Sequence, residues 1–131
     1  MTLTSILPLI AAAIALLNVI WLAMADNPQR PPKNAWMVPA LFATLFLVFS
    51  AVAVLNEGAT GFWTEHIRNL WGNQIWFDLL LAASCALFFL MPKAKALKMP
   101  VLAWGLFVLA TGSIGLYFFL ARYLYLKARQ A

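Results

Sequence analysis

The chain has 131 residues, of which 65% are hydrophobic and 10% are charged, and its formal net charge is +5. A soluble domain of this size cannot bury so much apolar surface, so the composition excludes a water-soluble globular protein. The Lys and Arg residues lie in short connections and near the C-terminus rather than along one helix face, which favours anionic lipid over nucleic acid as a partner.

Four long apolar runs cover residues 6–25, 36–55, 75–91 and 101–121. Each is close to the roughly 20 residues that an α-helix needs to cross a bilayer. The runs are continuous rather than alternating, which indicates helices and not the strands of a barrel. The sequence therefore predicts an all-α, antiparallel, up-down bundle of four transmembrane helices, forming one integral membrane domain over residues 1–131.

The first run, residues 6–25, has two interpretations. The small residues before Asp26 resemble the site at which a secretory signal peptide is cleaved. Residues 1–5, however, carry no Lys or Arg, and the run is longer than the usual core of a signal peptide. We expect an uncleaved first helix, in which Asn18 makes an interhelical hydrogen bond rather than forming a site.

Two connections are rich in proline, and we call the side of the membrane that they share the proline side. Residues 26–34 contain three prolines, which forbid helix continuation and predict a short, stiff link. Residues 92–100 form a basic segment between two prolines. We expect its lysines to contact anionic lipid headgroups. They are Lys93, Lys95 and Lys98.

The remaining connection, residues 56–74, defines the opposite side, which we call the loop side. Its apolar residues Trp63, Ile67, Leu70 and Trp71 recur at helical spacing, with polar residues between them. This pattern predicts a short amphipathic helix that lies in the membrane interface.

Aromatic residues and cations give further indications of topology. Four crossings would put Trp21, Trp36 and Trp104 on the proline side, and Trp63, Trp71, Trp76, Tyr123 and Tyr125 on the loop side, as two aromatic belts. The cations would divide almost evenly between the sides. If Arg122 lies inside the membrane, it is not counted among the cations of the loop side. The proline side then has more cations, which favours a cytoplasmic proline side with both termini outside.

The acid and the base nearest to the membrane interior are Asp78 and Arg122. Because the third and fourth spans run in opposite directions, we expect these two side chains to form an ion pair. The alternative is a protonated Asp78 that acts as a proton donor or ligand contact. Gly105, Gly112 and Gly115 share one face of the fourth span, which predicts close packing against another helix, a partner protein or a second copy.

The loop side also gathers most of the residues that could carry chemistry. If the chain is an enzyme, Glu57 and Glu65 would join Asp78 as catalytic acids. A ligand site would use His66, Trp71, Gln74, Asp78 and Arg122. One histidine among scattered carboxylates lacks the spacing of a metal site, and no phosphate-binding loop or nucleophile motif is present in the sequence. We therefore predict neither a metal nor a cofactor.

Several segments of the C-terminal half form a pattern. They are Trp76-Phe77-Asp78-Leu79, Pro92-Lys93-Ala94-Lys95 with Met99, Thr111-Gly112-Ser113-Ile114-Gly115-Leu116, and the tail from Ala121-Arg122-Tyr123 to Lys127-Ala128-Arg129. Over residues 74–129 this pattern resembles a family of small, uncharacterised bacterial four-helix membrane proteins. The resemblance implies that the protein lies in the bacterial cytoplasmic membrane. It also implies a structural or functional role for Asp78, Gly112, Gly115 and Arg122, but no activity. A looser similarity, in the acid near the end of an apolar helix, links the chain to membrane-bound terpene cyclases, which protonate an isoprenoid with carboxylic acids.

Two classes of function follow from these features. The first is a non-catalytic membrane protein, either an accessory subunit of a larger complex or a binder of an apolar lipid or pigment. The second is a small isoprenoid or lipid enzyme that uses Asp78 with Glu57 or Glu65. An enzyme requires the acids to line a cavity, whereas a subunit requires the glycine face to be exposed in the isolated chain.

Overall fold

The computed structural model describes residues 2–26 and 31–130, so part of the predicted proline link, residues 27–30, lies outside it. Within the described residues the chain is all-α, with six helices and no strand. They are α1 Leu3–Met24, α2 Met37–Glu57, α3 Gly61–Ile67, α4 Leu70–Ala96, α5 Val101–Thr111 and α6 Ser113–Arg129. By length and composition, three of them, α1, α2 and α4, can cross a membrane. The all-α fold class is confirmed, and these helices contain most of the first three predicted spans.

The fourth predicted span, residues 101–121, is not one helix. α5 and α6 meet at Gly112, whose φ of 65° and ψ of −127° are accessible essentially to glycine alone. The hydroxyl of Thr111 bridges the break: it donates to the carbonyl oxygen of Phe107 at 2.8 Å and accepts from the backbone N–H of Gly115 at 2.9 Å. The prediction of four crossing helices is therefore not confirmed.

After this break, α6 turns back along α5 instead of continuing it. The rings of Trp104 and Phe119 stack with their centroids 5.3 Å apart, whereas a continuous helix would separate these residues by about 22 Å. Near the end of α6, the ring of Tyr125 lies 5.8 Å from that of Trp36, which directly precedes α2. α6 therefore ends on the proline side. The placement of Tyr123 and Tyr125 in a loop-side aromatic belt is wrong for the same reason.

α6 is the central helix of the bundle, with α2, α4 and α5 packed against it. Phe119 of α6 and Val108 of α5 are the largest fully buried side chains. α2 runs antiparallel to α6, since Phe42 contacts Tyr117 while Trp36 contacts Tyr125. Other buried residues of this core are Ala83, Leu87, Leu90, Ala94, Met99 and Tyr123.

α4 continues past the predicted end of the third span, from residue 91 to Ala96. Pro92 lies inside it and supplies no N–H to the helical ladder. The last turn is held by packing, because Ala94 is completely buried. Two residues beyond its end, Lys98 has a φ of 58°, and the backbone N–H of Met99 donates to the carbonyl of Ala94 at 3.1 Å. This turn starts α5 back along α4.

α3 lies where the sequence predicts an amphipathic helix, but it is shorter. It ends at Ile67, so Leu70 and Trp71 belong to α4, where they are 85% and 74% exposed. The predicted apolar face is therefore divided between two helices. Its location in a membrane interface stays a prediction.

Gly72 brings α3 against the first turn of α4. A Cβ atom at this position would overlap the carbonyl oxygen of Glu65 and lie 2.9 Å from that of His66. Asn73 donates its side-chain N–H to the His66 carbonyl at 2.7 Å, and Asn69 caps α4 by accepting from the N–H of Gly72 at 2.8 Å. These contacts fix α3 at the loop-side end of α4.

α1 differs from the other long helices, because none of its described residues is buried. Asn18 is half-buried. The interhelical hydrogen bond predicted for its side chain does not occur among the hydrogen bonds of residues 2–26 and 31–130.

Candidate functional site

Arg122 and Asp78 lie toward opposite ends of the bundle. α6 carries Arg122 to the proline side, where its guanidinium carbon is 5.6 Å from the ring centroid of Tyr125. Asp78 is exposed near the loop-side end of α4. In the described part of the chain the salt bridge is a different one, between Arg68 and Glu65 at 2.9 Å. The predicted ion pair is wrong, because it assumed that the fourth span ran straight to the loop side.

The three acids proposed for catalysis have different surroundings. Glu65 pairs with Arg68 on the exposed side of α3. Glu57 ends α2, which packs on α6, whereas Asp78 belongs to α4, whose loop-side end packs on α3. Across residues 2–26 and 31–130, no group of three or more His, Cys, Asp or Glu residues could hold a metal ion.

His66 lies in an aromatic cluster on the loop side. Its ring centroid is 4.8 Å from that of Trp76, which also meets the rings of Trp63 at 6.3 Å and Phe62 at 6.4 Å. This half-buried histidine therefore packs α3 onto α4. Of the other predicted ligand residues, Trp71, Gln74 and Asp78 share an exposed face of α4, and Arg122 is remote from them.

A groove with a volume of about 320 Å³ lies between α4 and α6. Each helix contributes four residues at helical spacing, so both linings are continuous stripes. The residues from α4 are Ala86, Phe89, Leu90 and Lys93, and those from α6 are Leu116, Tyr117, Leu120 and Tyr123. Five of these eight side chains are hydrocarbon only.

Because α4 and α6 run in the same direction there, the lining residues follow the same order along both helices. One end of the groove lies in the middle of the bundle, and the other, which we call the polar end, lies on the proline side at Lys93. Ala86 and Leu116 lie toward the middle of the bundle, and Lys93 and Tyr123 lie on the proline side. The small side chain of Ala86 leaves space between the helices. Tyr117 is held from the opposite side by the ring of Phe42 at 5.8 Å.

Cations surround the polar end of the groove. The ring of Tyr123 is buried, and the ammonium nitrogen of Lys127 is 5.6 Å from its centroid. Lys93 belongs to the lining itself and is exposed to the surroundings. On another face of α6, where Tyr125 meets Trp36, Arg129 covers the ring of Tyr125 at 4.2 Å. A ligand with an apolar body and an anionic head matches this distribution of surface.

The glycine face of the predicted fourth span is used inside the chain. Gly105 is buried, and a Cβ there would meet the terminal methyl group of Met91 in α4. Gly115 is buried against α5, where a Cβ would lie 2.8 Å from the carbonyl oxygen of Phe107 and 2.9 Å from the Cα of Val108. These glycines let helices approach closely, and their partner helices belong to this chain.

The sequence pattern does not indicate Tyr117 and Tyr123 as residues of a groove, nor the helix break at Gly112. A signal for the break is present in Thr111-Gly112-Ser113, because glycine after an apolar run typically ends a helix and serine typically begins one. Hydropathy does not detect it, since the run remains apolar across the break. Without the break, Tyr123 falls on the wrong side of the membrane and the groove does not exist.

Comparisons with protein-family models, with curated proteins and with solved structures give no match for this chain. The family resemblance of residues 74–129 therefore stays a prediction.

Proposed function

We propose that the chain is a non-catalytic integral membrane protein that binds an anionic lipid in the groove between α4 and α6. One observation carries the proposal: a largely apolar groove of about 320 Å³ ends at Lys93 and Tyr123. This volume is at the lower end of the range for small-molecule sites, about 300 to 1,000 Å³. It suits part of an acyl or isoprenoid chain rather than a whole lipid.

The positive charge at the proline-side end of the groove favours a lipid with an anionic headgroup. Lys93 lies in the lining, and Lys127 stands over the neighbouring ring of Tyr123. Ammonium groups make short charge-assisted hydrogen bonds to phosphate oxygens, and the Tyr123 hydroxyl can donate another. The proposed occupant is accordingly a phospholipid with a net negative headgroup, whose hydrocarbon chain runs toward Ala86.

The surroundings of the acids favour this function over an isoprenoid enzyme. The groove lining contains no carboxylate, and Glu65 is already paired with Arg68. An accessory subunit is also less well supported, because the glycine face predicted to bind its partner packs against α4 and α5. As part of this proposal we place the chain in the bacterial cytoplasmic membrane, on the strength of the family resemblance.

The test compares a blocked groove with a matched control. Ala86→Phe fills the groove, whereas Ala82→Phe puts the same side chain on an exposed position one turn earlier in α4. Native mass spectrometry of the protein with added phosphatidylglycerol should show at least a tenfold weaker lipid adduct for Ala86→Phe. Equal adducts in the two variants would overturn the site.

A second pair of variants tests the headgroup. Lys93→Gln should retain lipid binding but weaken the preference for phosphatidylglycerol over phosphatidylcholine, because the groove lining loses its cation. Arg68→Gln, exposed on the loop side and outside the groove lining, is the control and should keep the preference. An unchanged preference in Lys93→Gln would contradict an anionic headgroup at this end while leaving the apolar groove intact.

A further inference from the structure

The reversal at Gly112 changes which side of the molecule the C-terminus reaches. A Cβ atom at Gly112 would lie 4.0 Å from the Cδ1 atom of Leu79, so the tip of the α5–α6 hairpin is level with the loop-side half of α4. From there α6 returns to the proline side, where Tyr125 meets Trp36. The hairpin therefore enters and leaves the bundle from one side.

Part of the backbone at the tip is hydrogen-bonded within the protein. Non-helical backbone is tolerated in hydrocarbon only where its polar groups are satisfied within the protein. The N–H of Gly112 donates to the carbonyl of Val108 at 2.6 Å, and its carbonyl accepts from Leu116 at 3.1 Å. The Thr111 hydroxyl serves the N–H of Gly115. These bonds satisfy three polar groups at the tip, the N–H and carbonyl of Gly112 and the N–H of Gly115, and so lower the cost of ending the hairpin inside the bilayer.

The reversal of α6 at Gly112 also places most of the positive charges of the chain on one side of the molecule. Arg30 lies outside the described residues, and of the other Lys and Arg residues only Arg68 is on the loop side, together with Glu57, Glu65 and Asp78. All the others lie on the proline side, and we call them the cationic surface. They are Lys33, Lys93, Lys95, Lys98, Arg122, Lys127 and Arg129. A four-span chain would instead divide its cations almost evenly between the two sides.

We propose that the cationic surface lies on the anionic headgroups of the cytoplasmic leaflet, and that α5 and α6 form a re-entrant hairpin whose C-terminus is cytoplasmic. Short segments rich in Lys and Arg remain on the cytoplasmic side of membrane proteins, and the anionic lipids of that leaflet attract them. The proposal shares the reversal of α6 with the groove, but it requires no lipid to be bound there, because it rests on the direction of α6 and the position of the cations.

Cysteine labelling distinguishes this topology from four spans. In a Cys85→Ala background, single cysteines replace Asn34, Thr60 or Gln130, and a membrane-impermeant maleimide is applied to intact spheroplasts and to inverted vesicles. We expect Thr60→Cys to react in spheroplasts, and Asn34→Cys and Gln130→Cys to react only in inverted vesicles. Labelling of Gln130→Cys from the same side as Thr60→Cys would overturn the hairpin. Thr60→Cys reacting only in inverted vesicles would overturn the cytoplasmic assignment.

The role of the charges has its own test. In the Gln130→Cys protein, replacing Lys95, Lys98, Lys127 and Arg129 together by glutamine should let a measurable fraction react in spheroplasts, where the Gln130→Cys protein with all its cations does not react. Arg68→Gln, which removes a cation from the loop side, should leave that fraction unchanged. An unchanged fraction in the fourfold variant would show that these cations do not hold the C-terminus at the cytoplasmic surface.

Discussion

The two halves of the molecule, divided at the level of Gly112, differ in how they are packed. In the proline-side half, α2, α4, α5 and α6 surround the fully buried residues Phe119 and Val108. In the loop-side half, α4 has the seven-residue helix α3 as its main neighbour, and Gly72 is the buried residue of that contact among the described residues. One half has a core, and the other has a single contact surface.

α4 itself passes through both halves, so the difference does not come from its composition. Toward the proline side it buries Ala83, Leu87, Leu90 and Ala94. These residues form one hydrophobic core with Val108 of α5 and Phe119 of α6. Lipid tails are as apolar as leucine, so burial in a membrane requires close contact between helices rather than hydrophobicity alone. Packing therefore extends along α4 as far as the hairpin does.

The largest expected effect comes from separating α5 and α6. Gly115→Ala puts a Cβ atom within 3 Å of the α5 backbone, which cannot move aside as a flexible side chain can. We expect a loss of about 3 kcal/mol in the free energy of unfolding, at the upper end for overpacked sites. Gly61→Ala is the control, because its Cβ would only meet that of Glu57 at 3.8 Å. Equal thermal unfolding of both variants in detergent would contradict a tightly packed hairpin.

A smaller and local effect is expected in the loop-side half. Gly72→Ala makes a Cβ atom overlap the Glu65 carbonyl, so α3 must move away from α4. We expect a cost of about 1 to 2 kcal/mol that appears as local opening. Hydrogen exchange should accelerate at least tenfold for the amides of α3 and remain unchanged in α6. Equal acceleration in both helices would show that the halves unfold as one unit.

The smallest effect is expected at Asp78 and Arg122. Both are exposed and lie toward opposite ends of the bundle, so the effects of Asp78→Asn and Arg122→Gln on the free energy of unfolding should add to within about 0.5 kcal/mol. The Glu65 and Arg68 pair, whose side chains are more than 60% exposed, provides a positive control with a coupling of about 0.2 to 1 kcal/mol. A coupling above about 1 kcal/mol between Asp78 and Arg122 would favour a straight fourth span.

The contrast between the halves also explains which site residues the sequence could predict. His66 and Asp78 were identifiable as unusual residues, but their surroundings depend on α3 and α4 meeting at Gly72. Lys93 could be predicted as a headgroup contact, because a lysine after an apolar run is expected near headgroups, and that contact stays a prediction. Its place in a groove with Tyr123 was not, since the two residues meet only after α6 has reversed.

The amino-acid sequence by itself determined the all-α class and the three long helices α1, α2 and α4. A backbone in hydrocarbon must satisfy its own hydrogen bonds, so a continuous apolar run of sufficient length forms a helix whatever its neighbours are. It also determined that residues 101–121 are apolar and helical.

The tertiary structure alone decided the path of that last segment. An apolar window has the same hydropathy whether it crosses a membrane once or bends back halfway. The choice depends on the positive φ of Gly112, on the hydroxyl bridge of Thr111 and on the fit of Gly115 against α5. These are contacts between residues rather than properties of a window, and they place Arg122, Lys127 and Arg129 on the same side of the molecule as Lys93 instead of on the side of Asp78.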